Sequence, residues 1–390
     1  METFYLFLVV FLGVLAIFDL SVGVSNDAVN FLNASIGSKA ASFRVIMIVA
    51  ATGILVGAAL SNGMMDIARH GIYQPQYFYF SEIMCILVAV ILTDVVVLDI
   101  FNSLGMPTST TVSLVFELLG GTVAYSMVKI INDSQGILEI GHLMNTDKAL
   151  TVILGIFISV AIAFFFGMLV QYISRLIFTF NYKKTAKYFI GIFGGIAATS
   201  IVYFMLIKGL KSSPIFSGPF ADYILSHTGT VVLYCFIGFT ILMQILHWLH
   251  INVFKVIVLM GTFALALAFA GNDLVNFIGV PLAGYSAYSD FMAQHGTVSP
   301  DSFLMTSLQG SAKTPWYFLI GSGIIMVIAL LTSKKAQNVV KTSVDLARQS
   351  DGEENFGTSP VARVLVRVCM NSAKTITHIV PIPVKEWVES

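Results

Sequence analysis

The chain has 390 residues, 57% hydrophobic and only 11% charged, with 21 Lys+Arg balanced by 21 Asp+Glu and a mean hydropathy of +0.87. An ordinary soluble domain is about a quarter charged, so half of the usual solvating surface is missing. That excludes a soluble globular enzyme and a disordered or fibrous chain, and zero net charge leaves no bulk field for nucleic acid. The composition is that of an all-α polytopic membrane protein.

Apolar runs lie near 3–22, 43–60, 83–104, 112–130, 149–174, 188–207, 229–249, 252–270 and 315–332. About 20 helical residues cross a hydrocarbon core of about 30 Å, so each run is read as a span. The first opens on Met1-Glu2-Thr3, with no basic n-region, and leads straight into a polar motif. It is therefore a true span rather than a cleaved signal. Cys85, Cys235 and Cys369 are far apart and form neither a disulfide framework nor a zinc spacing.

Basic residues set the orientation. An outside N-terminus puts Lys39 and Arg44, then Arg175, Lys183, Lys184 and Lys187, then Lys334, Lys335 and Lys341 on the cytoplasmic side. The opposite loops at 61–82 and 290–312 carry Arg69 alone, while Lys208 and Lys211 count against the assignment. The positive-inside rule then predicts N-out and C-in. The expected organisation is a membrane domain over 1–210, a second membrane segment over 211–333, and a cytoplasmic tail or inserted region over 334–390. Val361–Val368 mixes Arg363 and Arg367 with apolar residues, the pattern of an interfacial helix or a plain tail segment.

The sequence repeats itself. Asn26, Asp27, Val29, Asn30 and Phe31 line up with Asn272, Asp273, Val275, Asn276 and Phe277. On the predicted spans the two copies run in opposite directions, the inverted-repeat architecture of secondary transporters, whose site lies near the midplane. Asn-Asp-x-x-Asn places two amides on one helix face with a carboxylate beside them. A carboxylate in hydrocarbon costs about 2.5–3.5 kcal/mol on insertion scales, which ligation of a cation offsets. Carboxylate and amide oxygens are hard ligands, suited to an alkali cation or a proton. Asp27, Asn30, Asp273 and Asn276 are therefore the candidate cation ligands, with Asn26 and Asn272 turned to the substrate. Gly23 and Gly271 are expected to let the helix unwind there.

A second cluster, Gly105-Met-Pro-Thr-Ser-Thr-Thr111, separates the third and fourth runs. Pro107 ends one helix and is pre-organised for the first turn of the next. Thr108, Ser109, Thr110 and Thr111 then crowd hydroxyls at a helix N-terminus, an anion-binding position. With no arginine near, an oxyanion would be held by neutral donors in a re-entrant loop. The plainer reading is an ordinary N-cap. Asp19, Asp94, Asp99 and Glu117 also fall inside apolar runs and are read as cavity-facing, paired, or nearer the interface than the runs imply.

The two Asn-Asp-x-x-Asn copies and Pro107-Thr-Ser-Thr-Thr111 resemble the PiT-type inorganic phosphate transporter family. The first copy continues into Ser35, Gly37 and Ser38, and the second into Pro281-Leu-Ala283, in the family manner. The resemblance covers residues 1–333. It implies symport of inorganic phosphate with sodium or protons across the cell (inner) membrane, by a homodimer, with no enzymatic step and no cofactor beyond the coupling ion. Three positions depart from the pattern: Ile54 stands where the family often has glutamate, Val112 where it has histidine, and the second copy lacks its own Pro-x-Ser-Thr-Thr. That counterpart is expected near 335–359; either half of the anion site has been lost or, the preferred reading, the region beyond 333 begins a long insertion, with the second cluster beyond Ser390. Competing readings are a sulfate permease of the same fold and a non-transporting membrane anion sensor or anchor.

Overall fold

The computed structural model describes residues 2–61, 67–132, 139–178, 182–206, 218–294, 298–310 and 314–346, together with Val364, Arg367 and Met370. The described residues are helical apart from short turns, two 3-10 turns, a π-helical turn at Ile67–Gly71 and isolated bridges. Among the described residues eight helices are long and apolar enough to cross a membrane, or nine if one bent pair counts as a span. The chain divides into a unit over Met1–Val344 and a second over Asp345–Ser390. Of the Val361–Val368 segment only Val364 and Arg367 fall within the described residues, both exposed.

Helix α1 (Glu2–Gly37) has 36 residues and overruns the 3–22 run by 15. No proline occurs before Pro75, and the polar residues 25–30 find partners in the fold, so nothing ends the helix at residue 22. Nor does it unwind at Gly23, as expected from the sequence. A Cβ there would lie 2.1 Å from Phe277 Cε1, so this glycine serves close packing. The helix stops where Lys39 takes φ 52° and Ala40 N donates to Ser35 O at 3.1 Å, a Schellman-type end.

Helix α2 (Phe43–Leu60) lies against α10 (Val253–Asn272). The contact is made by Gly53 and Gly57, a small-xxx-small pair that lets backbones approach. A Cβ on Gly53 would meet Phe263 O at 2.7 Å, and one on Gly57 would meet Leu267 O at 2.2 Å. Helices α3 (Phe80–Ser103) and α4 (Thr110–Ile131) form a hairpin around the hydroxyl-rich loop. A short α5 (Ile140–Leu143) precedes α6 (Thr146–Phe178), of which only Ala149 and Phe178 are buried. An exposed helix that is apolar all round has the pattern of a membrane span. Helices α7 (Tyr182–Phe204), α8 (Pro219–Ser226) and α9 (Thr228–Trp248) lead to α10, and α7, α9 and α10 share a small core of Ile190, Ala198, Met243 and Val253.

The predicted run at 252–270 continues through α11 (Leu274–Ala293), so that 253–293 reads as one 41-residue span candidate. The break is a single residue, Asp273, at φ −92° and ψ −16°. Helix α12 (Trp316–Thr332) meets α13 (Lys334–Leu346) at a 67° bend. Ser333 makes the corner: its Oγ accepts from Ala336 N at 3.2 Å and from Ser25 Oγ of α1 at 2.9 Å. The region beyond 333 thus opens with a docked helix whose Ala336, Val339 and Val340 join the core of α1, α2, α10, α11 and α12. At the opposite end Arg69 is buried and donates to Gly310 O, Ser286 Oγ and Ser307 O. The one basic residue of those two loops is therefore a staple between them.

Candidate functional site

The first motif sits in mid-helix on α1, facing the turn between α3 and α4. Asn26 is fully buried and uses both ends of its amide. Its Nδ2 donates to Asn102 Oδ1 at 2.7 Å and to Met106 O at 3.2 Å, and its Oδ1 accepts from Thr108 N at 2.8 Å. Asn102 in turn donates to Val22 O at 2.7 Å. This small amide network pins the loop 104–109 to α1. Gly105 takes φ +67° and its Cα faces Thr342 Oγ1, 3.0 Å from where a Cβ would stand. Only glycine meets both conditions cheaply.

The loop delivers the start of α4 to both motifs. Thr110 Oγ1 donates to Asp27 Oδ2 at 2.8 Å, while Asn30 Nδ2 donates to Asp27 Oδ1 at 3.1 Å. The next residue turns to the other copy: Asn276 Nδ2 donates to Thr111 Oγ1 at 3.0 Å and to Asp273 Oδ1 at 3.3 Å. Thr111 is also within hydrogen-bonding reach of Asp273. Adjacent threonines in the first turn of one helix thus join two motifs 246 residues apart in sequence. Asp27 is 4% exposed, and Asp273 is near enough to act on it electrostatically. Among the described residues no basic side chain pairs with either carboxylate. A helix N-terminus supplies partial positive charge there, and a cation between two such carboxylates would supply the rest.

The remaining candidates are placed as follows. Thr108 is half-buried, and its backbone N–H is already committed to Asn26. Ser109 is the N-cap of α4, its Oγ accepting from Val112 N at 3.3 Å. That uses a lone pair and leaves the exposed hydroxyl free to donate. Asn272 stands apart, since its side chain is exposed and donates back to Ala268 O of its own helix at 2.9 Å. Gly271 holds the region differently from the expected unwinding, its carbonyl accepting from Ser61 Oγ at 2.9 Å. Asp99 lies near the C-terminal end of α3, paired with Lys335 at 2.5 Å.

Sequence reasoning overlooked Asn102, although an asparagine inside an apolar run was a visible signal. Asn102→Ala leaves the Asn26 amide and the Val22 carbonyl without their partner. An unsatisfied buried group costs about 1–3 kcal/mol, so we expect a lower thermal midpoint for the detergent-purified variant. Unchanged stability would show that the loop is held without this network.

A helical membrane domain with buried acidic residues and amides within its long apolar helices, met by a hydroxyl-bearing helix start, has the features of a membrane transporter. Residues 23–343 match the profile of the phosphate transporter family, and the chain belongs to that family. It is 34% identical over 129 residues to a protein from Plasmodium falciparum described as a sodium-dependent phosphate transporter. That match takes in 32% of this chain and 19% of the relative's length. In fold it is similar to a solved structure titled "The sodium-dependent phosphate transporter". The TM-score is 0.58 at 18% identity, over 89% of this chain and 80% of the other.

Proposed function

We propose that the protein carries inorganic phosphate across the cell membrane by cation-coupled symport, with sodium as the first candidate ion and the proton as the second. The observation that carries this reading is the meeting of Asp27 and Asn276 on the neighbouring hydroxyls of Thr110 and Thr111. Cation capture by either carboxylate then changes the charge at the helix start that faces the oxyanion. Asp27, Asn30, Asp273 and Asn276 are assigned to the cation, and Thr108, Ser109, Thr110 and Thr111 with Asn26 to the phosphate. Asn272 is left out of the phosphate set because its amide bonds within its own helix. The two motifs are read as halves of an inverted repeat, with the N-terminus outside, α13 on the cytoplasmic side, and a homodimer as the working assembly. The names of the relatives favour phosphate and sodium. Neutral hydroxyl donors alone would serve sulfate as well.

Uptake of labelled phosphate into proteoliposomes, with and without an inward sodium gradient, tests the reading, with sulfate as competitor. Gradient-dependent uptake that sulfate does not suppress is expected; equal suppression by sulfate would make the protein an oxyanion permease of wider range. Ser109→Ala refines the site. It should lower stability by about 1 kcal/mol through loss of the cap. It should also weaken phosphate binding by about ten- to a hundredfold, the value of one hydrogen bond to a charged group. Reduced stability with unchanged affinity would leave Ser109 a cap alone.

A further inference from the structure

Three more carboxyl groups meet inside the membrane domain, away from the two motifs. Asp94 of α3 is within hydrogen-bonding reach of Glu117 and of Ser113, both on α4. Ser113 Oγ donates to Glu117 Oε1 at 2.6 Å. Asp19 lies on α1 about two helical turns before the first motif and is near enough to both acids to act on them electrostatically. Asp19 is 1% and Asp94 2% exposed. Asp19 Oδ1, Asp94 Oδ1 and Glu117 Oε2 are all buried without a hydrogen-bond donor. Among the described residues no Lys, Arg or His pairs with any of them.

Such a group is too costly to exist as three bare charges. Like charges in a shared site disfavour joint ionisation, and an unpaired ion in hydrocarbon costs several kcal/mol. Two carboxyls in hydrogen-bond contact need a proton between them, since neither carboxylate carries a donor. The contact between Asp94 and Glu117 therefore suits a proton better than a coordination shell. Asp19, its Oδ1 buried without a donor and its charge acting on both acids, adds the negative charge that holds the proton there.

We propose that Asp94 and Glu117, faced by Asp19, form a proton-binding pair on α1, α3 and α4 that loads and unloads one proton during the transport cycle. This rests on the transporter reading above and adds a second ion site to it. Loading joins a proton from water to a carboxylate oxygen of the pair and forms one O–H bond. Unloading breaks that bond and returns the proton to water. The titratable groups facing the pair are Asp19 from α1 and, further along the same helix, Asp27, which lies near enough to Asp94 for the two charges to interact. Ser113 relays hydrogen bonding within α4. A proton at the pair relieves repulsion on Asp27, so loading here favours an ionised, cation-binding Asp27 at the first motif.

The test uses the full protein in liposomes. Infrared difference spectroscopy without turnover should show a protonated carboxyl band at neutral pH, absent from the Asp94→Asn/Glu117→Gln double variant. Imposing an acid-outside gradient at equal sodium should stimulate phosphate uptake several-fold in the wild type and not at all in the double variant. Phosphate counterflow under symmetric ions should survive in the variant, which shows that it folds and binds. A wild type without the carboxyl band, or a double variant that still responds to the proton gradient, overturns the pair. Absent counterflow in the wild type overturns the phosphate reading instead, and the infrared band still decides the pair.

Discussion

Asp27→Asn should reduce sodium-driven phosphate uptake to the level of empty liposomes while leaving the protein inserted and folded. The exchange is nearly isosteric, and the new side-chain carbonyl still accepts from Thr110 Oγ1, which now bonds Asp27 Oδ2 at 2.8 Å. What disappears is the charge. Bringing a sodium ion into a site of low dielectric costs far more than neutral dipoles return, so an amide in place of the carboxylate no longer makes capture favourable. Asp273→Asn should act in the same direction through Asn276 and Thr111, with a smaller loss because Asp273 is only half-buried. The measurement is initial uptake against sodium concentration, with surface labelling or detergent chromatography to verify insertion. Wild-type sodium dependence in either variant would remove that residue from the ion site.

The largest expected loss of structure belongs to Gly57→Ala. A single methyl there would stand 2.2 Å from Leu267 O and 3.0 Å from Ala270 Cβ, against backbone that cannot swing aside. Helices α2 and α10 would have to separate along their whole contact, which also carries Gly53. Overpacking of this sort costs about 1–3 kcal/mol or more, although alanine is the better helix former by about 1 kcal/mol. Gly57→Leu should prevent recovery of monodisperse protein. Gly120→Ala is the control, since nothing lies within 4 Å of its Cβ position, and it should be neutral or stabilising. Equal thermal midpoints for Gly57→Ala and Gly120→Ala would mean that α2 and α10 are not held by this contact.

Much of the fold was legible because a bilayer makes a severe demand on sequence. A spanning helix must satisfy every backbone group internally and present apolar side chains for about 20 residues. Eight of the nine runs accordingly appear as spanning helices, and the ninth as the 17 residues of α12. Composition also exposed the two motifs, since Asn and Asp are conspicuous in such a background. Helix ends were less legible. Residues 23–37 continue α1 because tertiary partners take up their polar groups, and 274–293 continue α10 because one residue, Asp273, absorbs the break.

Pairing lay beyond the reach of the sequence. Thr110 with Asp27, Thr111 with Asn276 and Asn26 with Asn102 are contacts between helices far apart in the chain, set by which faces pack together. Gly23 illustrates the difference: in sequence it reads as freedom of the backbone, and in the fold it is space for the ring of Phe277. Periodicity and hydropathy determined the class of protein, the positions of its apolar helices and the residues carrying polar chemistry. Side-chain packing decided that Asn272 turns back on its own helix and Ser109 caps α4. It also brought Asp19, Asp94 and Glu117 together, because hydrogen bonds and close contacts depend on positions in space that one-dimensional spacing does not contain.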